Sequence, residues 1–373
     1  MKFSSSTLFA AGAALAISFS SCKTDENISY TVPETYNFDN VSYSGQTNRL
    51  DMMAEITTYI KTAHVANAPA LDAAKLKDMY GDNTGNHFST TDLNSSTKQL
   101  KSKTIATEQA NFEAYMDAVA VASQSTGATA ASGQAGIAAN NAGSKFYLLN
   151  ENGIELAQVI EKGLMGACFY YQATSVYLGA GKMEVDNNTV TDGKGTAMEH
   201  HWDEAFGYFG VNKNFPTTTS DAVFWGKYCN KHEAVYPLNE KMMNAFLKGR
   251  AAISAKDMDT RDEQIAVLRK NWELVVAATA IYYLNSVKDD LSTDAAAAYH
   301  GLSEVFGFIS SLKYGTGASG ITEAQVNTIL TDLFGSADAL QANNYNVTSA
   351  KIEAAKTALV GIFTDLSAVK DSL

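Results

Sequence analysis

Hydrophobic side chains recur every three or four positions through most of the chain, which is the spacing of an amphipathic helix. In residues 50–63 they form one stripe on a helix that ends before Pro69. Threonines followed three positions later by Glu or Gln predict helix starts at Thr260 and Thr322. Further helical stripes occupy residues 108–121, 242–253, 259–290 and 351–366. Period-two alternation is scarce, so the pattern predicts an all-α fold.

The apolar segment at residues 146–178 predicts one long buried helix. Its two glycines, Gly163 and Gly166, would allow another helix to approach closely. Residues 127–143, which come before it, are mostly small and predict a connection without a fixed shape. Polar loops are expected at residues 81–102 and 179–195.

A longer pattern occurs twice, one hundred residues apart. Residues 200–208 and 300–308 each contain a histidine, a glutamate four positions later, and then a phenylalanine, a glycine and an aromatic residue. Each copy follows a tyrosine pair, within residues 170–176 and 282–287 respectively. Matched blocks in the same order predict an internal duplication of a helical unit, that is, two related helical bundles.

The N-terminal residues predict a bacterial lipoprotein. Residues 1–21 contain Lys2 and an apolar stretch too short to span a bilayer, as in a secretory signal. Residues 19–22 resemble a lipobox, in which Cys22 would be lipidated and become the mature N-terminus; the alternative is an ordinary secretory signal with an incidental cysteine. The charged residues 23–26 resemble a signal for the outer face of the outer membrane. We therefore expect an outer-membrane lipoprotein on the cell surface or the periplasmic face.

The expected organisation has four parts. They are a signal peptide at residues 1–21, a tether and extended segment at residues 22–45, a first helical unit at residues 46–235 and a second at residues 236–373.

The formal net charge of −12 changes the range of partners to be considered. An acidic surface argues against nucleic acid and is compatible with cations or basic ligands. Apart from Cys22, the chain contains only Cys168 and Cys229, and no CxxC spacing suggests zinc or redox chemistry. These two cysteines are expected to be buried thiols, and a disulfide between them is the alternative.

A histidine and a glutamate four residues apart lie on one face of a helix, where they can bind a cation together. If the two copies face each other across a cleft, their nitrogen and oxygen donors could hold a divalent or ferric ion. The candidate metal ligands are His200, His201, Glu204, His300 and Glu304. The alternative is that each pair is structural, at a buried helix junction. The tyrosine pairs could likewise bind ferric iron or simply pack.

Catalysis has less support in the sequence. The His-Glu-x-x-His signature of many zinc peptidases is absent, and so are the Gly-x-Ser-x-Gly elbow, the P-loop and the dinucleotide fingerprint. A metallopeptidase would also need three ligands, an open position for water and a general base.

Three segments resemble an uncharacterised family of Bacteroidetes lipoproteins related to the imelysin-like superfamily. They are residues 43–49, 199–208 and 248–253, and the resemblance extends over nearly the whole mature chain. It implies a helical protein of two related bundles and, because many imelysin-like proteins are linked to iron uptake, a role in iron acquisition.

The same resemblance implies a Gly-x-His-x-x-Glu motif. Matched onto this chain, its histidine and glutamate are His201 and Glu204, while Glu199 occupies the glycine position. His200 could serve instead, since its spacing to Glu204 is the one repeated in the second copy.

Together these features predict a non-enzymatic, lipid-anchored binding protein that holds a metal ion or a metal-bearing ligand between its two units. The alternative is an accessory or scaffold lipoprotein that binds an outer-membrane receptor or another envelope protein. A metallopeptidase is the third interpretation.

Overall fold

Helices account for almost all of the regular structure in the computed structural model, which describes residues 29–373. The α-helices are α1 (Ser44–Lys61), α2 (Ala73–Lys77), α3 (Thr91–Asn94), α4 (Gln109–Ser123), α5 (Leu156–Leu164), α6 (Ala180–Met183), α7 (Ala197–Phe209), α8 (Phe224–His232), α9 (Asn239–Ala255), α10 (Met258–Thr293), α11 (Ala295–Ser311), α12 (Glu323–Phe334) and α13 (Ser349–Ile362). Within the described range, the only sheet is the antiparallel pair β1 (Gly136–Ala139) and β2 (Phe146–Leu149). The predicted all-α class is confirmed. The predicted signal peptide and Cys22 lie outside the described residues.

Side-chain caps fix where several helices begin. Thr196 and Glu199 form a capping box at α7, and Thr322 forms another at α12, as the sequence predicts. Helix α10 begins earlier than predicted, because the Asp257 carboxylate accepts a hydrogen bond from the Thr260 amide.

The prediction of one helix over residues 146–178 is wrong at its start. Phe146 pairs with Ala139 in the hairpin, and the helix begins only at Leu156. It then continues into a π-helical segment, Met165–Tyr177. A short apolar run fits a buried strand as well as a helix, which is why the pattern misleads here. The same hairpin gives the small-residue stretch a fixed shape that its composition does not predict.

The two predicted units share the main hydrophobic core. Helix α10 packs against α9, α11 and α13, and its central side chains Trp272 and Val275 are fully buried. Helix α5 of the first unit packs against α11 of the second. The boundary predicted after residue 235 therefore does not separate two cores. The duplication itself stays a prediction.

The predicted tether becomes part of the folded body well before α1. The Tyr36 ring stacks on Phe206 of α7 with centroids 3.8 Å apart, and its hydroxyl donates to Asp203 at 2.8 Å. Among residues 29–373, none of the helices combines the length and the apolarity needed to span a membrane.

Candidate functional site

The first copy of the repeated motif lies where α7 meets the first turn of α1. Glu204 is at its centre: one carboxylate oxygen accepts from the Gln46 amide at 3.0 Å, and the other lies 2.9 Å from Nδ1 of His201. The Tyr177 hydroxyl is 3.5 Å from the same Gln46 amide. We call Gln46, Tyr177, His200, His201 and Glu204 the α7 cluster.

A glycine in each copy lets its helix approach a neighbour closely. A Cβ atom on Gly207 would lie 2.7 Å from Cβ of Tyr43 and 2.9 Å from Cβ of Gln46, closer than real contacts allow. A Cβ atom on Gly307 would lie 2.5 Å from Cβ of Lys162 on α5. The repeated glycine therefore sets the helix contact beside each His/Glu pair.

Burial and neighbouring charges shift the pKa values of Glu204 and His200 in the α7 cluster. Burial acts to raise the pKa of Glu204, but the hydrogen bond from His201 and the nearby His200 lower it more. Burial is also the main reason why the pKa of His200 is lowered, with a smaller effect from Lys194. Nδ1 of His200 is buried and has no hydrogen-bond partner in the part of the chain that is described.

The second copy forms a different network, which we call the α11 cluster: His64, Glu155, Lys162, His300 and Glu304. His300 has Nδ1 at 2.5 Å from Glu155 and Nε2 at 3.6 Å from Glu304. His64 lies 3.9 Å from the second Glu155 oxygen. The buried Lys162 ammonium is 3.5 Å from Glu304, so it supplies a positive charge within the cluster.

Opposite charges shift the pKa values of the α11 cluster. Burial would lower the pKa of His300, but the Glu155 carboxylate raises it overall. Burial would raise the pKa of Glu155, and the charge and hydrogen bond of His300 lower it overall. Lys162 has its pKa raised well above normal by Glu161 and other neighbours, despite complete burial. These shifts favour the charged forms of His300, Glu155 and Lys162.

The two clusters lie at opposite ends of α1. Gln46 in its first turn contacts the α7 cluster, whereas Lys61 in its last turn is 3.6 Å from Glu161, beside the α11 cluster. A helix of eighteen residues is about 27 Å long. The five predicted metal ligands therefore fall into two separate groups and do not share one cleft.

Neither group fits a bare metal ion. Across residues 29–373, no three His, Cys, Asp or Glu side chains are arranged to hold one. In the α11 cluster Lys162 already provides the cation beside Glu304. In the α7 cluster both oxygens of Glu204 are engaged, by Gln46 and His201. Both arrangements satisfy the carboxylates with protein partners.

A polar cavity of ≈190 Å³ opens beside the α7 cluster. The start of α1, Tyr177, His200 and Glu204 line one part of it. We call it the basic pocket, because its remaining walls carry Arg49, Lys98, Lys103 and Lys194.

Sequence reasoning missed the residues that give both sites their charge. Arg49 falls on the same helical stripe as Met53 and Ile56, so a charged residue on an apolar face was the available signal. Lys162 gives a similar signal within α5. Glu155 gives none, because His300 lies 145 positions further along the chain.

The remaining candidates lie in the core or pack against it. Cys168 and Cys229 are free and buried, as expected of two buried thiols, and burial raises the pKa of Cys168 to about 12. Tyr170 packs among tryptophan rings, and Tyr283 stacks on an aromatic ring of α11.

The fold and the site define an all-α protein with a polar, positively charged pocket at a helix junction. Comparison with protein families identifies which one: residues 33–356 match the family described as Domain of unknown function (DUF4856). The chain belongs to this uncharacterised family. No curated protein and no solved structure matches the chain.

Proposed function

We propose that the protein is a lipid-anchored binding protein of the bacterial cell envelope, which holds a small ligand in the basic pocket. The observation that carries this proposal is the pocket itself, in which His200 and Glu204 lie beside four basic side chains. Basic side chains that share one cavity repel each other, and a negatively charged ligand in the cavity relieves that repulsion.

The envelope location is supported by the N-terminal sequence. Residues 1–21 have the features of a secretory signal, and Cys22 stands where a lipobox cysteine is acylated. Two or three acyl chains would hold the protein firmly at the outer membrane. The resemblance to imelysin-like lipoproteins supports the same location.

That resemblance also supports a role in iron acquisition, and the charges of the pocket indicate the form of the metal. Arg49 and three lysines repel a bare cation. Iron would therefore enter as part of a negatively charged chelate, in which the chelator and not the protein provides the metal ligands.

The test is native mass spectrometry with metal analysis on full-length protein taken from membranes. The variants are His200→Ala and a control, His87→Ala, whose side chain lies outside the pocket. We expect a bound ligand in the parent and the control, and its loss in His200→Ala. Ligand retained equally in all three, or absent from the parent, would contradict the proposal and favour an accessory protein that binds another protein.

The anchor is tested separately with Cys22→Ser. We expect this variant to leave the membrane fraction, because the thiol that accepts the lipid is removed. A Cys22→Ser protein that stays in the membrane fraction rules out anchoring through this residue.

A further inference from the structure

We propose that the basic pocket binds a small oxyanion, that is, a ligand presenting a carboxylate or phosphate group. This rests on the proposed function, because it names the ligand class of the same pocket. The central feature is Arg49, a residue that is 5 % exposed and lines the pocket.

Arg49 is a buried charge without a counter-ion. Its Nε donates to the Gln99 carbonyl at 2.7 Å and one terminal nitrogen donates to the Gly45 carbonyl at 2.9 Å. Both acceptors are neutral, and within residues 29–373 no carboxylate lies within 4.0 Å of the guanidinium. Burying a charge is costly unless it is paired, so the site is complete only with an anion.

The other buried arginines are each paired with a carboxylate. Arg250 lies 2.7 Å from Glu199 and 3.0 Å from Asp203, and Arg261 lies 2.7 Å from Asp262. Of the three arginines buried in the described chain, Arg49 alone lacks such a partner. It is also the one that lines the basic pocket.

Three lysines add to this positive charge. Lys98 and Lys194 are exposed at the pocket, and Lys103 is half-buried with its ammonium 3.1 Å from the Tyr177 hydroxyl. Burial and the nearby Arg49 lower the pKa of Lys103. Positive groups crowd together here in a chain whose formal net charge is −12, so the pocket attracts what the rest of the surface repels.

The start of α1 contributes in the same direction. No side chain caps this helix at Tyr43, and its first turn carries no acidic residue. The first amides of a helix have no intrahelical partners, and Ser44 and Gly45, the first two residues of α1, line the pocket. An oxyanion there would accept hydrogen bonds from the backbone as well as from Arg49.

The Glu204 carboxylate also lines the pocket and offsets part of this charge, but it is one acidic side chain against four basic ones. The cavity of ≈190 Å³ is smaller than pockets for drug-sized ligands, which are about 300–1,000 Å³. Its size favours a small anion, such as a phosphate or a polycarboxylate, alone or with a bound metal ion.

The experiment is isothermal titration calorimetry of the full-length chain with inorganic phosphate and, separately, with citrate, at constant chloride. Putrescine serves as a cationic comparison. The variants are Lys103→Gln, Arg49→Lys and the control Lys145→Gln, an exposed lysine on the hairpin. We expect at least one anion to bind and Lys103→Gln to weaken it about tenfold, the effect of losing one charge-assisted hydrogen bond.

The two anions separate the possible sources, since phosphate alone indicates a phosphate group and citrate alone a carboxylate. Arg49→Lys keeps the charge but loses the planar guanidinium that bonds an oxyanion through two N–H groups, so it should also weaken binding, while Lys145→Gln should not.

Equal affinity in all four proteins, or binding of putrescine alone, overturns the proposal. A co-purified ligand that depends on His200 but is displaced by neither anion overturns the ligand class and leaves the binding function intact. If the purified protein carries no ligand and neither anion binds, both the binding function and the ligand class are overturned.

Discussion

Single residues in the two copies of the repeated motif have different partners. His201 and Glu204 bond within one turn of α7. His300 reaches across to Glu155 on the segment before α5, and Glu304 faces Lys162. The first pair leaves a pocket open beside it, whereas the second is closed by a protein cation. The same residue types therefore provide a ligand-facing wall in one place and an internal ion network in the other.

The α11 network predicts a pH-dependent stability. His300, whose pKa is raised, contributes stability below its unfolded value of 6.5 and loses it as the pH rises through the folded value. Glu155, whose pKa is lowered, contributes stability above its unfolded pKa of 4.5, and this stability is lost as the pH falls through its folded pKa. His64, Glu304 and Lys162 face the same pair.

We therefore expect His300→Gln to lower the free energy of unfolding by about 1.5–3 kcal/mol between pH 4.5 and pH 6.5, the unfolded pKa values of Glu155 and His300. The loss should be smaller at pH 9. Urea unfolding at pH 5.5 and pH 9 measures the difference. The control is His87→Gln, whose side chain donates no hydrogen bond within the described residues. A cost for His300→Gln that does not change with pH would show that the ion pair contributes nothing.

A second prediction concerns the buried pair of Arg250 and Asp203. Burial is the main cause that raises the pKa of Asp203 to about 6, although Arg250 acts against it. Arg250→Met would leave this carboxylate buried without a cation, at a cost of about 3–5 kcal/mol. Lys270→Met removes an exposed pair with Asp365 and should cost less than about 1 kcal/mol. Chemical denaturation compares the two, and similar costs would contradict this reasoning.

Among the elements, α1 has the most consequential position, because it borders both clusters. Its first turn packs against α7, and its last turn lies beside α5. The contact with α7 is close because Gly207 has no side chain. A change in this contact therefore moves the wall of the basic pocket.

The element-scale prediction follows from that contact. Gly207→Ala places a methyl group against Tyr43 and Gln46, so we expect a loss of about 1–3 kcal/mol. The matched control is Gly361→Ala in α13, where nothing lies within 4 Å of the added atom. It should be neutral or stabilising by up to about 1 kcal/mol. Thermal unfolding measures both, and equal midpoints for the two variants would refute the close contact.

Helices with a clear apolar stripe could be predicted from the sequence, and the hairpin could not. The stripe of residues 50–63 is sufficient for α1, because burial of one face follows directly from its period. Phe146–Leu149 has no distinctive period, and its strand depends on pairing with Gly136–Ala139. Local pattern does not specify which partner a short apolar run will find.

For the molecule as a whole, the core extends beyond the family match, which ends at residue 356. Leu359, Phe363 and Leu366 are buried against it. The Asn285 amide also bonds to the carbonyl of Leu373, which holds the last residues in place. The folded unit is therefore larger than the matched segment.

This predicts the effect of truncation. A chain that ends at residue 356 loses several buried side chains, each contributing about 1.5–3 kcal/mol, and the sum approaches the whole stability of a typical domain, about 5–15 kcal/mol. We expect it to lack a cooperative unfolding transition by calorimetry. A chain that begins at residue 33 should keep one. A cooperative transition in the C-terminal truncation would show that the last segment is dispensable.

The site was partly predictable at this scale. His200 and Glu204 stand out by their repeated spacing, and both line the basic pocket. The spacing alone could not show that the second copy lies at the other end of α1, because that depends on how distant helices pack. It could not show the unpaired charge of Arg49 either, since its surroundings come from three separate segments.

Because Lys162 provides a counter-ion to the acidic side chains around it, this end of the molecule can fold without a metal ion. Its ammonium lies between the carboxylates of Glu161 and Glu304 and provides their positive counter-charge. Since this counter-ion is attached to the backbone, it cannot be stripped by a chelator or depleted by starvation. Folding of this end of the molecule is therefore independent of the iron that the other end is proposed to help collect.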